Sequence, residues 1–166
     1  MKKIFITAIV SLIAFVANAQ QLPDAKVQDR KGKVVGTPGW VDNETPFVVS
    51  FWSTTCKPCL KELDILSENY DDWNEEIPFR VIAVSIDDSR SVARAKALAA
   101  GSGWDMFDVF YDVNSDFKRA MNVSMVPHVF VFDKNGKQVY SHVGYKPGDE
   151  MELFEVLKNL KHIGGR

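Results

Sequence analysis

Cysteine is scarce in this 166-residue chain, which contains only Cys56 and Cys59. A scaffold held by several disulfides is therefore excluded, and a chain of this length with 46% hydrophobic residues can bury a core without one. An excess of basic charge is also missing, since 20 Lys and Arg stand against 22 Asp and Glu. We accordingly expect no nucleic-acid partner. No internal repeat or long linker divides the sequence, which indicates one domain.

Long hydrophobic runs are absent except at the start of the chain. Two lysines precede an apolar stretch from Ile4 to Val16, and Ala17-Asn18-Ala19 follows as a small-x-small cleavage site. This pattern is typical of a secretory signal peptide, and the stretch is short for a membrane span. We predict a cleaved signal peptide over residues 1–19, a domain over residues 20–166, and export to the periplasm or beyond. Without those two lysines the mature chain has 18 basic and 22 acidic side chains, a net charge of −4.

The two cysteines lie between an apolar run and a helical pattern. Residues 46–53 are largely apolar and rich in strand formers, and Cys56-Lys57-Pro58-Cys59 follows within two more positions. Leucines at 60, 63 and 66 then recur at helical spacing. A helix that starts there presents free backbone N–H groups and the positive end of its dipole, which stabilise a thiolate. The pattern therefore indicates a dithiol/disulfide exchange site.

The rest of the chain predicts strands that alternate with helices. Segments 25–28 and 33–35 flank a turn-rich tetrad and predict a hairpin. Further strands are predicted over 47–53, 78–86, 107–111, 129–132 and 138–143. One helix is predicted to start at Pro58, and a second runs from the cap candidates Asp87-Asp88-Ser89 to about residue 100. Two more helices are predicted over 115–121 and 149–162. This order predicts an α/β fold with a central mixed β-sheet, helices on both faces and an N-terminal β-hairpin extension.

Three segments together resemble the thioredoxin superfamily: Phe51 to Cys59, Val126-Pro127, and Phe130 to Gly136. More narrowly, they resemble the exported TlpA/ResA-like thiol-disulfide oxidoreductases, several of which reduce partners in cytochrome c maturation. The resemblance runs from about residue 22 to the C-terminus. It implies a thioredoxin fold and a monomeric enzyme that needs no cofactor and exchanges its dithiol with protein disulfides. It also implies a reductant, which would take electrons from a membrane-linked thiol donor because the envelope has no thiol buffer.

The resemblance assigns the cysteines different roles, and their positions agree with it. Cys56, at the open helix end, matches the exposed nucleophile, and Cys59 matches the buried resolving thiol. Cys56 would attack a substrate disulfide, and Cys59 would then attack Cys56 to release the reduced partner. Lys57 adds a nearby positive charge, although a solvated side chain is the commoner role for such a lysine. Pro58 falls in the first helical turn, where a proline costs no hydrogen bond.

Other positions match the family near the dithiol. Pro127 matches the cis-proline that packs against the cysteines and leaves the backbone of Val126 open to an extended substrate. Trp52 matches the tryptophan beneath the active-site loop. Glu62 matches an acidic position near the dithiol, where a carboxylate could raise thiol pKa values or relay a proton; a solvated helix residue is the alternative. The predicted substrate-binding residues are Trp52, Lys57, Pro58, Val126 and His128.

Three positions depart from the family pattern. Ser50 stands where many thioredoxins have a buried aspartate that accepts the proton of the resolving thiol, so the base must come from elsewhere, such as Glu62 or water. Thr55 replaces a frequent aromatic before the nucleophile, which predicts a smaller and more polar docking surface. His128 replaces threonine after the cis-proline, where its charge could tune Cys56 near neutral pH.

The cysteine pair also admits three other interpretations. A structural disulfide is one, although a four-residue loop gains little stability from closure. Cys56, Cys59 and His128 could form a soft-metal site for Cu(I) or Zn, although the cis-proline of this fold normally blocks metal access. A peroxiredoxin-like peroxidase could use Thr55 beside Cys56, but Pro46 lies ten residues before Cys56, which does not fit the Pro-x-x-x-Thr-x-x-Cys pattern of that class.

Some residues have no assigned chemistry at this point. His142 lies on the last predicted strand without a sequence neighbour that suggests catalysis. Asp87 and Asp88 are interpreted as helix caps rather than as an acid/base pair. Trp104 lies in a loop, where we expect it to plug the core or, alternatively, to contact a partner.

Overall fold

The chain folds as a seven-stranded sheet with helices on both faces. The computed structural model describes residues 20–164, with side chains to residue 161. The predicted signal peptide, residues 1–19, lies outside the described residues. The strands are β1 Lys26–Gln28, β2 Val34–Gly36, β3 Phe47–Trp52, β4 Arg80–Ser85, β5 Asp108–Tyr111, β6 His128–Phe132 and β7 Gln138–Val143. The α-helices are α1 Lys57–Glu76, α2 Val92–Gly101, α3 Asp116–Ala120 and α4 Asp149–Gly164, and a 3-10 helix spans Thr37–Trp40.

The sheet is mixed, and β3 lies near its middle. The strand order is β2-β1-β5-β4-β3-β6-β7. β3 pairs in parallel with β4 and antiparallel with β6, and β4 pairs in parallel with β5. All six residues of β3 are buried, as expected of an apolar run that is covered on both faces. The predicted mixed sheet and the hairpin of β1 and β2 are confirmed.

Alternate residues of β3 enter two separate hydrophobic clusters. Val48 and Trp52 pack with α1, α2 and α4 on one face of the sheet. Phe47, Val49 and Phe51 pack with α3 and the 3-10 helix on the other. Successive strand side chains point to opposite faces, so both clusters fix β3 in place. The end of β3 is thus a rigid base for the segment that carries Cys56.

Helix α1 extends beyond the leucines that predict it. It continues to Glu76 because Trp73 adds another buried position, and the ring of Trp73 stacks on Phe154 of α4 with centroids 4.6 Å apart. This contact ties the far end of α1 to α4. The opposite end of α1, where the cysteines lie, is thereby held against the same face of the sheet.

Candidate active site

The cysteine pair lies where β3 leads into α1. Cys56 is the N-cap of α1, and its Sγ accepts a hydrogen bond from the backbone N–H of Cys59 at 3.3 Å. Pro58 lies in the first helical turn, as predicted. The two sulfurs form a disulfide; Cys56 is partly exposed and Cys59 is fully buried. A partner can therefore reach the sulfur of Cys56, which also lies at the positive end of the α1 dipole.

A buried carboxylate anchors the loop that precedes Cys56. Asp87 Oδ2 accepts the backbone N–H of Thr54 at 2.9 Å, and Oδ1 accepts the Thr54 hydroxyl at 2.7 Å. The Ser85 hydroxyl also donates to Asp87 Oδ2, at 2.8 Å. Thr54 lies two residues before the nucleophilic position, so this cluster fixes where the loop leaves the sheet. All of these groups are buried.

The interpretation of Asp87 as a helix cap is wrong. Only Asp88 acts at the start of α2, where its Oδ1 accepts the backbone N–H groups of Arg90 and Ser91. The register of β3 and β4 explains why Asp87 lies beside Thr54. Trp52 pairs with Ser85 in the parallel β3–β4 ladder, so Thr54 and Asp87 each lie two residues past that pair.

Trp52 supports the site from within the core. It is fully buried and packs edge-on against Trp104, with ring centroids 5.3 Å apart. Trp104 is fully buried too, and its Nε1–H donates to Asp64 Oδ1 at 2.9 Å. The expected plug role of Trp104 is therefore confirmed. Because Trp52 has no exposed surface, it acts on a substrate only through the loop that it supports.

The peptide bond between Val126 and Pro127 is cis, as the resemblance implies. Pro127 is buried, Val126 is partly buried, and the neighbouring Met125 is 61% exposed. The segment leads into β6, whose first residue, His128, pairs with Phe51 of β3. The cis-proline segment and the loop after β3 therefore lie at the same end of the sheet.

His128 is held as a half-buried ring beside that segment. It stacks on Phe130 with centroids 4.1 Å apart, and its Nδ1 has no hydrogen-bond partner among the described residues. Burial lowers the pKa of His128 below its ordinary value of 6.5, and His142 lowers it further. The imidazole is therefore neutral at neutral pH, and its predicted tuning of Cys56 by charge applies only in more acidic solution.

Glu62 is not a solvated helix residue. Its side chain is 2% exposed, and its Oε1 lies 2.8 Å from Nε2 of His142. Its Oε2 is buried without a hydrogen-bond partner in the described part of the chain. Burial raises the pKa of Glu62. The nearby charges of Asp149 and Glu150 raise this pKa further, whereas His142 lowers it. Glu62 and Cys59 are both buried on α1 at positions three apart, which are neighbours on a helix surface.

His142 is the site residue that the sequence analysis does not identify. It lies on β7, where Gln138, Tyr140 and His142 are partly buried and the residues between them are exposed. A polar residue on the inward side of such an alternation requires a polar partner, which here is Glu62. That alternation is the available sequence signal, but it does not name the partner, which lies 80 residues away.

Other predicted groups lie at the rim or are buried without contacts that suggest chemistry. Thr55, Lys57 and Pro58 are exposed around Cys56. Ser50 is fully buried on β3, and its hydroxyl has no partner among the described residues. Among residues 20–161, no three His, Cys, Asp or Glu side chains are grouped to hold a metal ion, so in this disulfide state Cys56, Cys59 and His128 do not form the alternative metal site.

Residues 19–141 match the model of the AhpC/TSA family. The chain belongs to this family. It is 25% identical over 142 residues to the thiol-disulfide oxidoreductase ResA of Bacillus thuringiensis, a match that covers 85% of this chain and 77% of the relative. It is 45% identical to an uncharacterized thioredoxin-like protein of Porphyromonas gingivalis, whose solution structure superposes with a TM-score of 0.78 over 87% of this chain and 94% of that one.

A third similarity concerns the fold alone. A putative thiol:disulfide interchange protein DsbE from Chlorobium tepidum is 24% identical, with a TM-score of 0.70 over 86% of this chain and 97% of that chain. Together with the Cys56–Cys59 disulfide, the comparisons identify a TlpA/ResA-like member of the thioredoxin superfamily. The Cys56–Cys59 disulfide and the similarity to ResA support a protein-disulfide oxidoreductase, and the predictions of family, fold and enzyme class are confirmed.

Proposed function

We propose that this oxidoreductase is exported and reduces protein disulfides in the cell envelope, as the relatives that serve cytochrome c maturation do. The observation that carries the proposal is the unequal exposure of the two sulfurs. Cys56 is partly open at the start of α1, whereas Cys59 is fully buried behind it. This asymmetry suits one sulfur that attacks a bulky partner and another that acts only within the protein.

The reaction transfers two electrons from the dithiol to the partner. The Cys56 thiolate attacks one sulfur of the substrate disulfide, forms a mixed disulfide and displaces the first substrate thiolate. Cys59 loses its proton to the Glu62 carboxylate and attacks Cys56 Sγ. The second substrate thiolate leaves, the Cys56–Cys59 disulfide forms, and the substrate thiolates take up protons from water.

The surrounding residues would position the substrate. An extended segment of the partner pairs with the backbone at Val126, beside the cis-proline Pro127. The exposed Lys57 and Pro58 contact it from the helix side, and His128 borders it from the sheet. The small, polar Thr55 leaves room for side chains next to the substrate cysteine.

Export rests on the sequence of residues 1–19, with a single thioredoxin-like domain following. No helix among residues 20–164 is long and apolar enough to cross a membrane. A membrane-linked thiol protein would return electrons to the Cys56–Cys59 disulfide, since the envelope lacks a reducing thiol pool. Among the described residues, only Val139 and Val143 of the exposed large apolar side chains share an element, β7, and we propose a monomer.

The equilibrium potential of the cysteine pair tests the direction of the reaction. The purified protein is equilibrated with glutathione redox buffers, and its reduced fraction is measured by thiol alkylation. A reductant is expected to fall near the thioredoxin value of about −270 mV. A potential near about −120 mV, typical of a strong oxidant, would overturn the proposal.

A further inference from the structure

Glu62, three residues after Cys59 on α1, pairs with His142, which lines an open cleft on the β7 side of the sheet. The cleft has a volume of about 470 Å³ and lies between β7, the loop that follows it and the start of α4. His142 is among its lining residues, and its side chain is 14% exposed. Glu62, only 2% exposed, lies between His142 and the face of α1 that buries Cys59.

The hydrogen bonds of the pair indicate where its protons are. Nδ1 of His142 is buried and has no partner among the described residues. If His142 carried its only proton on Nδ1, that N–H would be an unsatisfied buried donor, which is costly. With the proton on Nε2, the imidazole donates to Glu62 Oε1, and this bond favours the carboxylate form of Glu62. Its second oxygen, Oε2, is thereby left as a free buried acceptor on the side chain next to Cys59 in the helix.

We infer that His142 is a positioning residue that holds Glu62 as a carboxylate and aims it for the proton of Cys59. The inference rests on the proposed function and adds a residue to it. In the step, the S–H bond of Cys59 breaks and an O–H bond forms on Glu62. The sulfur electron pair forms the new S–S bond with Cys56, and the proton stays on Glu62 until it is lost to water.

The charged surroundings make His142 necessary for this role. The titratable and charged groups around the pair are His128 on β6, Tyr140 on β7, Tyr145 and Lys146 in the loop after β7, and Asp149, Glu150 and Glu152 on α4. Asp149 and Glu150 favour the neutral acid at Glu62, as burial does, whereas His142 favours the carboxylate. Without His142, Glu62 would hold a proton up to higher pH and could not accept another.

Stepwise reaction with dithiobis-nitrobenzoate tests the inference. One equivalent is mixed with the reduced protein, and the release of the coloured thiolate is followed by stopped flow. The first release reports the attack of Cys56, and the second reports the attack of Cys59 on the mixed disulfide. In the parent protein we expect the second rate to rise with pH and level off. His142→Leu is expected to move that rise to higher pH, so that the rate is about tenfold lower on the rising limb and converges at high pH.

Two further variants make the result decisive. His142→Gln keeps an N–H donor for Glu62 but lacks the imidazole ring, so we expect a smaller shift of the same sign. Val139→Ala, at an exposed position of the same strand, should leave both phases unchanged. A uniform loss of rate at every pH, or an unshifted second phase in both His142 variants, would overturn the inference. If the parent protein released only one thiolate, the proposed resolving role of Cys59 would fail instead.

Discussion

Two buried carboxylates flank the cysteine pair, and they differ in how their oxygens are satisfied. Asp87, on the loop side, accepts three hydrogen bonds that use both oxygens. Glu62, on the helix side, has one oxygen on His142 and the other without a partner among the described residues. Both are nearly inaccessible, at 7% and 2% exposure. Burial alone therefore does not distinguish a structural carboxylate from a chemical one.

The difference lies in what each carboxylate can still accept. Buried polar groups are almost always hydrogen-bonded, and a free buried acceptor needs a reason. Asp87 has its donors in place and fixes Thr54, two residues before Cys56. Glu62 has an acceptor free on the helix that carries Cys59. One group thus holds the loop in position, and the other is available for proton transfer.

The largest effect on stability is expected at Asp87. Asp87→Ala leaves the Thr54 N–H, the Thr54 hydroxyl and the Ser85 hydroxyl without an acceptor, so the free energy of unfolding should fall by about 3 kcal/mol. Denaturant unfolding of the oxidised protein measures this. Asp88→Ala, which removes a half-exposed acceptor at the start of α2, serves as the control and should lower the free energy of unfolding much less. Equal losses in the two variants would contradict the anchoring role.

Glu62→Gln should show the opposite profile, with a large effect on chemistry and a small one on stability. The amide keeps the volume and can still contact His142, but it cannot take the proton of Cys59. We expect the second phase of the nitrobenzoate reaction to slow about 100-fold, with the first phase unchanged. An unchanged second phase would show that water, rather than Glu62, accepts the proton.

The smallest predicted effect is a pH dependence of stability. Because burial raises the pKa of Glu62 above 4.5, the folded protein keeps this proton at a pH where the unfolded chain has lost it. The stabilisation that Glu62 provides is therefore fully present below its ordinary pKa. It is lost as the pH rises through the pKa that Glu62 has in the folded protein. In this range the free energy of unfolding falls by at most about 1.4 kcal/mol per pH unit. The free energy of unfolding is measured for the parent and Glu62→Gln proteins from about pH 4 to about pH 8, and the difference between the two gives the contribution of Glu62. A difference that does not change with pH would contradict the prediction.

The sequence predicts the parts of the site that depend on local pattern or on motif. The apolar run at 47–53, the helix start at Pro58 and the match of Val126-Pro127 to the cis-proline motif all correspond to the observed structure. The strand and the helix start follow from neighbouring residues, whereas the cis-proline follows from the family resemblance. The loop and helix that carry the cysteines were predictable for the same reason.

The two carboxylate contacts were not predicted because each joins distant strands or helices. Thr54 and Asp87 meet only once β3 and β4 are aligned so that Trp52 pairs with Ser85. Glu62 meets His142 only when α1 packs over the β7 side of the sheet. Composition and periodicity give neither alignment, so the sequence alone predicts a helix cap at Asp87 and no role for His142.

Trapping of mixed disulfides tests the central claim, that Cys56 attacks protein disulfides and Cys59 resolves them. The full-length Cys59→Ser variant is expressed in its host, and adducts are separated on non-reducing gels. We predict partner proteins linked through Cys56, released by a reducing agent and lost when Cys56→Ser is added. Failure to form such adducts, or adducts that persist without Cys56, would contradict the exchange mechanism.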